Sequence, residues 1–182
     1  MTLGRLAMLP FIIALLYNGG GDAIWVVLAL YIVAALTDFF DGYFARKLNQ
    51  ISAFGTFLDP ISDKIFVGVL LVALVGFGRL PELWMIAAFV IIGRELLVSG
   101  IREFLGPHNV QMPVTKLAKW KTATQMLSLG FLIVDDLMIG ALLAGQLLLV
   151  LAAALTAITG WGYLTTGLRY MKDMDSKNSE NK

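Results

Sequence analysis

Residues 137–168 read LMIGALLAGQLLLVLAAALTAITGWGYLTTGL and contain no Asp, Glu, Lys or Arg. A helix crosses the hydrocarbon core of a bilayer in about 20 apolar residues, and this run exceeds that length. It reads as a membrane-crossing helix, and the rest of the 182-residue chain agrees with it. Hydrophobic residues make up 58% and charged residues 15%, with a mean hydropathy of +0.79. A soluble domain carries about 25% charged residues, so the polar surface here cannot cover a water-exposed globule. This excludes an ordinary cytosolic protein and a disordered chain. The net charge of +1, from 14 Lys+Arg against 13 Asp+Glu, gives no strong field for polyanions and argues against a basic nucleic-acid binder. Without cysteine there is no disulfide, thiol nucleophile or thiolate metal site. The single histidine, His108, excludes a multi-histidine zinc site built from this chain alone.

Outward from that run, apolar segments alternate with glycine and proline punctuation. The pattern predicts an all-α polytopic membrane protein of six transmembrane helices. The first covers about Thr2 to Tyr17, before Asn18-Gly19-Gly20-Gly21. It lacks a small-x-small cleavage site and is expected to be retained. The second runs from Ala23 to about Lys47, the third from near Gly55 to near Gly78, and Arg79-Leu80-Pro81-Glu82 forms a turn. The fourth spans Leu83 to about Phe104, and Gly106-Pro107 and Met112-Pro113 mark a loop. The fifth spans about Lys116 to Val134, and the sixth fills most of residues 137–168. One membrane domain, 1–171, is expected, followed by a polar tail, 172–182, that frays.

Charge placement orients these helices. The gaps after helices 1, 3 and 5 hold one basic residue, Arg79, beside Asp22, Glu82, Asp135 and Asp136. The opposite side holds eleven, from Arg5, Arg46, Lys47, Arg102, Lys116, Lys119 and Lys121 to Arg169, Lys172, Lys177 and Lys182. The positive-inside rule then puts both termini in the cytoplasm. On this topology Asp38, Asp41, Asp59, Asp63, Lys64, Arg94 and Glu95 all fall in the cytoplasmic half. Ionisable groups in hydrocarbon are costly and face a bundle interior or a wet cavity, so one polar cavity open to the cytoplasm is expected.

The acids carry chemistry in their spacing. At 100° per residue Asp38, Asp41, Gly42, Ala45 and Arg46 share a sector of about 140°, with aromatics at Phe39, Phe40, Tyr43 and Phe44. Gly55, Asp59 and Asp63 form an i, i+4, i+8 stripe on the next helix, joined by a short loop, so the two polar faces can meet. Two like charges about 5 Å apart repel by roughly 3 kcal/mol at an effective dielectric of about 20. The carboxylates must therefore either hold protons or gather divalent cations. An oxygen-only ligand set suits Mg²⁺, Mn²⁺ or Ca²⁺, and four carboxylates balance two such ions, the clamp used in phosphoryl transfer. Small residues beside the acids leave room for a ligand, and Arg46 can pair with a phosphate or stack on a base. Taken singly, Asp59 before Pro60 is also a plausible helix N-cap, and Asp38 and Asp41 could pair with Lys64 and Arg46.

The whole segment, D-x-x-D-G-x-x-A-R, eight residues, G-x-x-x-D-x-x-x-D, resembles the signature of the CDP-alcohol phosphatidyltransferases at every fixed position. The six-span layout extends the likeness over nearly the whole chain. Asp59-Pro60-Ile61-Ser62-Asp63-Lys64, with Ser62 where alanine is usual, is similar to the branch that makes phosphatidylglycerol phosphate, as are Gly93-Arg94-Glu95 and residues 119–126. The resemblance implies a CDP-diacylglycerol donor whose lipid-side phosphorus is attacked by an alcohol, with CMP leaving. It implies two Mg²⁺ or Mn²⁺ ions held by Asp38, Asp41, Asp59 and Asp63, with Asp63 also the general base. Gly42, Ala45, Arg46 and Gly55 would line the CDP-lipid site, with Thr2 and Arg5. A homodimer in a bacterial cytoplasmic (inner) membrane is also implied, with membrane lipids around it and no nucleic-acid partner.

The acceptor is read from the cations. Arg94, Arg102, Lys119 and Lys121 stand at spacings that can face the cavity, which favours glycerol 3-phosphate. The competing reading is snorkelling to anionic headgroups, strongest for Lys116 and Lys119 at a helix end. Glu95 is a possible partner of Arg94, although adjacent helical residues do not face each other. Serine, inositol phosphate or a second phospholipid remain alternative acceptors. A divalent-cation transporter is the alternative of another class, but it would expect midplane acids and inverted repeats. Trp25, Trp84 and Trp161 read as interfacial anchors, and Gly140, Ala144 and Gly160 as helix-contact or dimer positions.

Overall fold

The computed structural model describes residues 2–48, 53–106 and 116–180, and at 2–3, 38–48, 53–57, 59–60, 116, 175 and 177–180 it describes the backbone alone. Among the described residues there are six helices and no strand: α1 (Thr2–Asn18), α2 (Gly21–Leu48), α3 (Ala53–Gly76), α4 (Glu82–Leu105), α5 (Lys116–Ile133) and α6 (Ala141–Glu180). All six lie where the punctuation predicts. The sixth differs at its end, continuing to Glu180 where fraying after Met171 was expected.

The turn between α3 and α4 shows how local sequence sets the bundle. Gly78 takes a left-handed φ of 73°. Its N–H donates to the Val75 carbonyl at 3.1 Å and the Arg79 N–H donates to Leu74 at 2.9 Å. This is a Schellman closure, which glycine enters without steric cost. Pro81 then precedes α4, where its missing N–H costs nothing. The turn aims Arg79 at the α5–α6 connection. Its guanidinium is ion-paired with Asp135 and lies 2.9 Å from Asp136. The one basic residue on the acid-rich side is thus neutralised there. Burial raises the Asp135 carboxyl above its ordinary 3.8, against the opposing pull of Arg79.

Helix α1 packs on α2 and α3, while α6 packs on α4 and α5. Ile12, Leu16, Val27, Phe66, Leu70 and Leu132 are fully or almost fully buried between them. Tyr31 joins the two groups: its hydroxyl donates to the Met126 carbonyl at 2.7 Å, and its ring stacks on Phe66 at 6.0 Å. Glycines let α6 come close to its neighbours. A Cβ at Gly145 would lie 2.8 Å from Leu132 Cγ, and one at Gly167 would lie 2.7 Å from Ile101 Cγ2.

The outside of the bundle is apolar. Leu83, Ile86, Phe89 and Leu96 on α4, and Leu143, Leu147, Leu151 and Ile158 on α6, are all exposed. A soluble monomer does not leave so much contiguous apolar surface in water. Among the described residues, Glu82–Leu105 and Ala141–Met174 are long and apolar enough to cross a membrane, and Gly4–Asn18 and Gly21–Thr37 are shorter apolar helices. The described residues are all-helical, with an apolar exterior suited to a lipid surrounding. Trp25, Trp120 and Trp161 are exposed on it, whereas Trp84 is partly buried against the core.

Candidate active site

The charges that interrupt the apolar helices gather around one cavity of about 600 Å³. Its lining comes from the start of α1 (Arg5), the first half of α3 (Asp63, Lys64), the second half of α4 (Arg94, Glu95, Arg102), the first half of α5 (Lys119, Lys121) and Tyr163 of α6. Up-and-down connectivity brings these segments to the same end of the bundle. Among the described residues the lining has six cationic side chains and two acidic ones. The described charges of α1, α3, α4 and α5 thus share a polar cavity. A pocket of that sign, walled by apolar helices, concentrates an anionic ligand.

Two kinds of cation line it. Arg94 and Lys121 are interior, with side chains 12% and 9% exposed. Arg102 and Lys119 are exposed and stand at the rim. Burial removes the snorkelling reading for Lys121, because a snorkelling side chain keeps its charged head in water. Lys121 of α5 is ion-paired with Glu95 of α4. Glu95 also lies 3.4 Å from Arg94 Nη1. The rule that adjacent helical residues do not face each other therefore fails here. It describes Cβ directions, and the long Arg94 side chain still brings Nη1 within 3.4 Å of its neighbour's carboxylate. Glu95 thus bridges two of the cavity's cations.

Helix α6 completes the wall. Arg94 Nη2 donates to Thr159 Oγ1 at 2.9 Å, and that hydroxyl in turn donates to the Leu155 carbonyl at 2.8 Å. The Tyr163 ring faces Arg94 with its guanidinium carbon 5.5 Å from the ring centroid, and Arg102 at 4.9 Å. Cation–π contacts at this range favour a fixed guanidinium plane. Sequence reasoning missed Thr159 and Tyr163 as site residues. The only signal was a tyrosine and a few hydroxyls on one side of an otherwise apolar run.

Of the four aspartates, all are placed on a helix and one is described to its side chain. Asp38 and Asp41 lie on α2, and Gly55, Asp59 and Asp63 on α3, so the helical backbone realises the i, i+3 and i, i+4, i+8 registers. The side chains of Thr2, Asp38, Asp41, Gly42, Ala45, Arg46, Gly55 and Asp59 lie outside the described residues, and so does the meeting of the α2 and α3 polar faces. Asp63 is described. Its side chain is 55% exposed, lines the cavity and is ion-paired with Arg5. Arg5 is itself buried, with its guanidinium carbon 5.9 Å from the Phe66 ring centroid. Among the described residues no group of three or more metal-ligating side chains occurs.

A helical bundle with a cationic cavity, entered by a carboxylate from an aspartate-bearing helix, offers an anionic ligand a site beside apolar helices. The family model described as CDP-alcohol phosphatidyltransferase matches residues 1–158, and the chain belongs to that family. A Rickettsia typhi protein named CDP-diacylglycerol--glycerol-3-phosphate 3-phosphatidyltransferase is 41% identical, over 90% of this chain and 92% of its own. A Cereibacter sphaeroides protein of the same name is 36% identical, over 95% and 96%. A rice protein named Cardiolipin synthase (CMP-forming) is 39% identical, but over 73% of this chain and 44% of its own. The chain is therefore an enzyme, a transferase, and the cation-transporter alternative is set aside.

Proposed function

We propose that this enzyme transfers a phosphatidyl group from CDP-diacylglycerol to glycerol 3-phosphate, giving phosphatidylglycerol phosphate and CMP. One observation carries the choice of acceptor: Arg94 and Lys121 are interior and converge with Arg102 and Lys119 on the cavity that Asp63 enters. A neutral alcohol such as serine needs no such set. A phosphate dianion in a partly desolvated cavity does. The relatives that share nearly the full length carry the same reaction in their names.

In this reading the six helices all span a bacterial cytoplasmic membrane, both termini and the cavity face the cytoplasm, residues 1–171 form the membrane domain, and the enzyme works as a homodimer. The placement of Arg79 with Asp135 and Asp136 on the face away from the cavity supports that orientation. Asp38, Asp41, Asp59 and Asp63 hold divalent cations, two Mg²⁺ or Mn²⁺ ions. Their fit rests on an all-oxygen donor set at helical register and on the access of Asp63 to the cavity. Bound there, the ions neutralise the donor's pyrophosphate. Gly42, Ala45, Arg46 and Gly55, with Thr2 and Arg5, accept the cytidine nucleotide. The acceptor phosphate sits on Arg94, Lys121, Arg102 and Lys119. Asp63 takes the proton from the attacking hydroxyl, and Arg5 fixes where its carboxylate points.

Incubating the purified protein with CDP-diacylglycerol and a panel of acceptors tests this directly. Glycerol 3-phosphate should release CMP. Serine, inositol phosphate and phosphatidylglycerol should not, and release with one of them alone would reassign the acceptor.

A further inference from the structure

Arg94 is placed by helix α6 more than by its own helix. A Cβ at Gly160 would lie 2.6 Å from Arg94 Cγ and 3.0 Å from its Nε. Cγ is the second carbon of the side chain, so a methyl group there cannot be evaded by bending the far end. The side chain must change rotamer or α4 must move off α6. One residue before, Thr159 takes a hydrogen bond from Arg94 Nη2. One turn after Thr159, Tyr163 lies against Arg94 and Arg102 together. Three residues of one helix face thus set the path, the hydrogen bond and the plane of Arg94. Two of the guanidinium's donors are engaged, by Thr159 and at longer range by Glu95, and a guanidinium has five.

We propose that Gly160, Thr159 and Tyr163 are positioning residues that aim Arg94 and Arg102 at the acceptor's phosphate, and so set the enzyme's affinity for a phosphorylated alcohol. This rests on the acceptor reading above. None of the three need touch the substrate. Gly160 supplies empty space, and its contribution is invisible in any inventory of polar groups. The same face leaves the donor side alone, because Arg5 and Asp63 stand on α1 and α3.

The test measures CMP release by purified Gly160→Ala, Thr159→Val and Tyr163→Leu proteins, with each substrate varied separately. Gly160→Ala should raise KM for glycerol 3-phosphate by about tenfold, the scale of one weakened charge-assisted contact. KM for CDP-diacylglycerol and kcat at saturating acceptor should stay within about twofold. Thr159→Ser keeps the hydroxyl and should retain the wild-type acceptor KM, while Thr159→Val and Tyr163→Leu should raise it. An unchanged acceptor KM in folded Gly160→Ala overturns the proposal. So does an equal rise in both KM values, which marks general loosening of the bundle. If Gly160→Ala does not fold, the Thr159→Ser and Thr159→Val pair decides in the same way. A wild-type enzyme that releases no CMP with glycerol 3-phosphate refutes the acceptor reading instead.

Discussion

Replacing Lys121 with Met keeps most of the unbranched stem of the side chain and removes its charge. The side chain is 9% exposed and ion-paired with Glu95, itself 18% exposed. Two separable losses follow. The acceptor loses one charge-assisted contact, worth about 1.5–3 kcal/mol, which is roughly 10- to 150-fold in KM for glycerol 3-phosphate. The fold loses the partner of an interior carboxylate. Breaking such a pair costs about 3–5 kcal/mol when nothing replaces it. Arg94 at 3.4 Å remains beside Glu95, so about 2 kcal/mol is expected, a fall in Tm of roughly 4–8 °C at this chain length. Adding Glu95→Gln removes the stranded charge. Because Arg94 then lacks its carboxylate neighbour, the double variant should recover part of the lost Tm and none of the lost acceptor affinity. Thermal melting in detergent and acceptor-dependent CMP release on the same preparations read the two effects apart. A single variant with a normal acceptor KM and a lowered Tm would make Lys121 a folding residue only and refute the phosphate assignment. Recovery of KM in the double variant would show that Glu95, and not the missing ammonium, had spoiled the site.

Three further outcomes are expected. Asp63→Asn should lower single-turnover CMP release by at least about a hundredfold, the lower range for a positioned base, while CDP-diacylglycerol still binds; near-normal turnover would remove the base assignment. Excess chelator should abolish turnover and added Mg²⁺ or Mn²⁺ should restore it, because the aspartate cluster and the pyrophosphate both need cations; full activity in chelator would contradict the metal site. At the opposite face, the Asp135 carboxyl is raised by burial, so the native state holds its proton to higher pH than the unfolded chain. Its stabilising contribution is present below about pH 3.8 and is lost as pH rises through the raised value. Asp135→Asn should therefore gain on the wild type in Tm as pH rises through that window, and a difference that stays flat with pH would refute the burial argument.

Much of this molecule is readable from sequence because a membrane restricts what each residue can mean. A charge inside an apolar helix has few places to go, so Arg94, Glu95, Lys121 and Asp63 could be assigned to one cavity before any contact was known. What periodicity cannot supply is the identity of the helix opposite. Arg5 and Asp63 are 58 residues apart, and Lys121 and Glu95 are 26 apart. Each pairing depends on packing that no local pattern encodes. The tail misled for a different reason. Its polarity predicts loss of structure, but Arg169, Asp173 and Lys177 follow at i, i+4 spacing, which supports a helix in water once the preceding turns of α6 have nucleated it.

Helix α6 is the instructive case. Residues 137–168 decided the fold because nothing in them is charged, and the same absence hid their part in the site. A search for chemistry looks for carboxylates, bases and cations, and finds none there. Yet an arginine inside an apolar bundle, beyond its one carboxylate neighbour Glu95, is best held by groups that do not themselves ionise, since each further charge adds its own desolvation cost. A threonine hydroxyl at 2.9 Å, a tyrosine face shared by two arginines and the missing side chain of Gly160 meet that need at little cost. In such a site the cations can be read from the charged helices, but what aims them has to be sought on the helix with no charge at all.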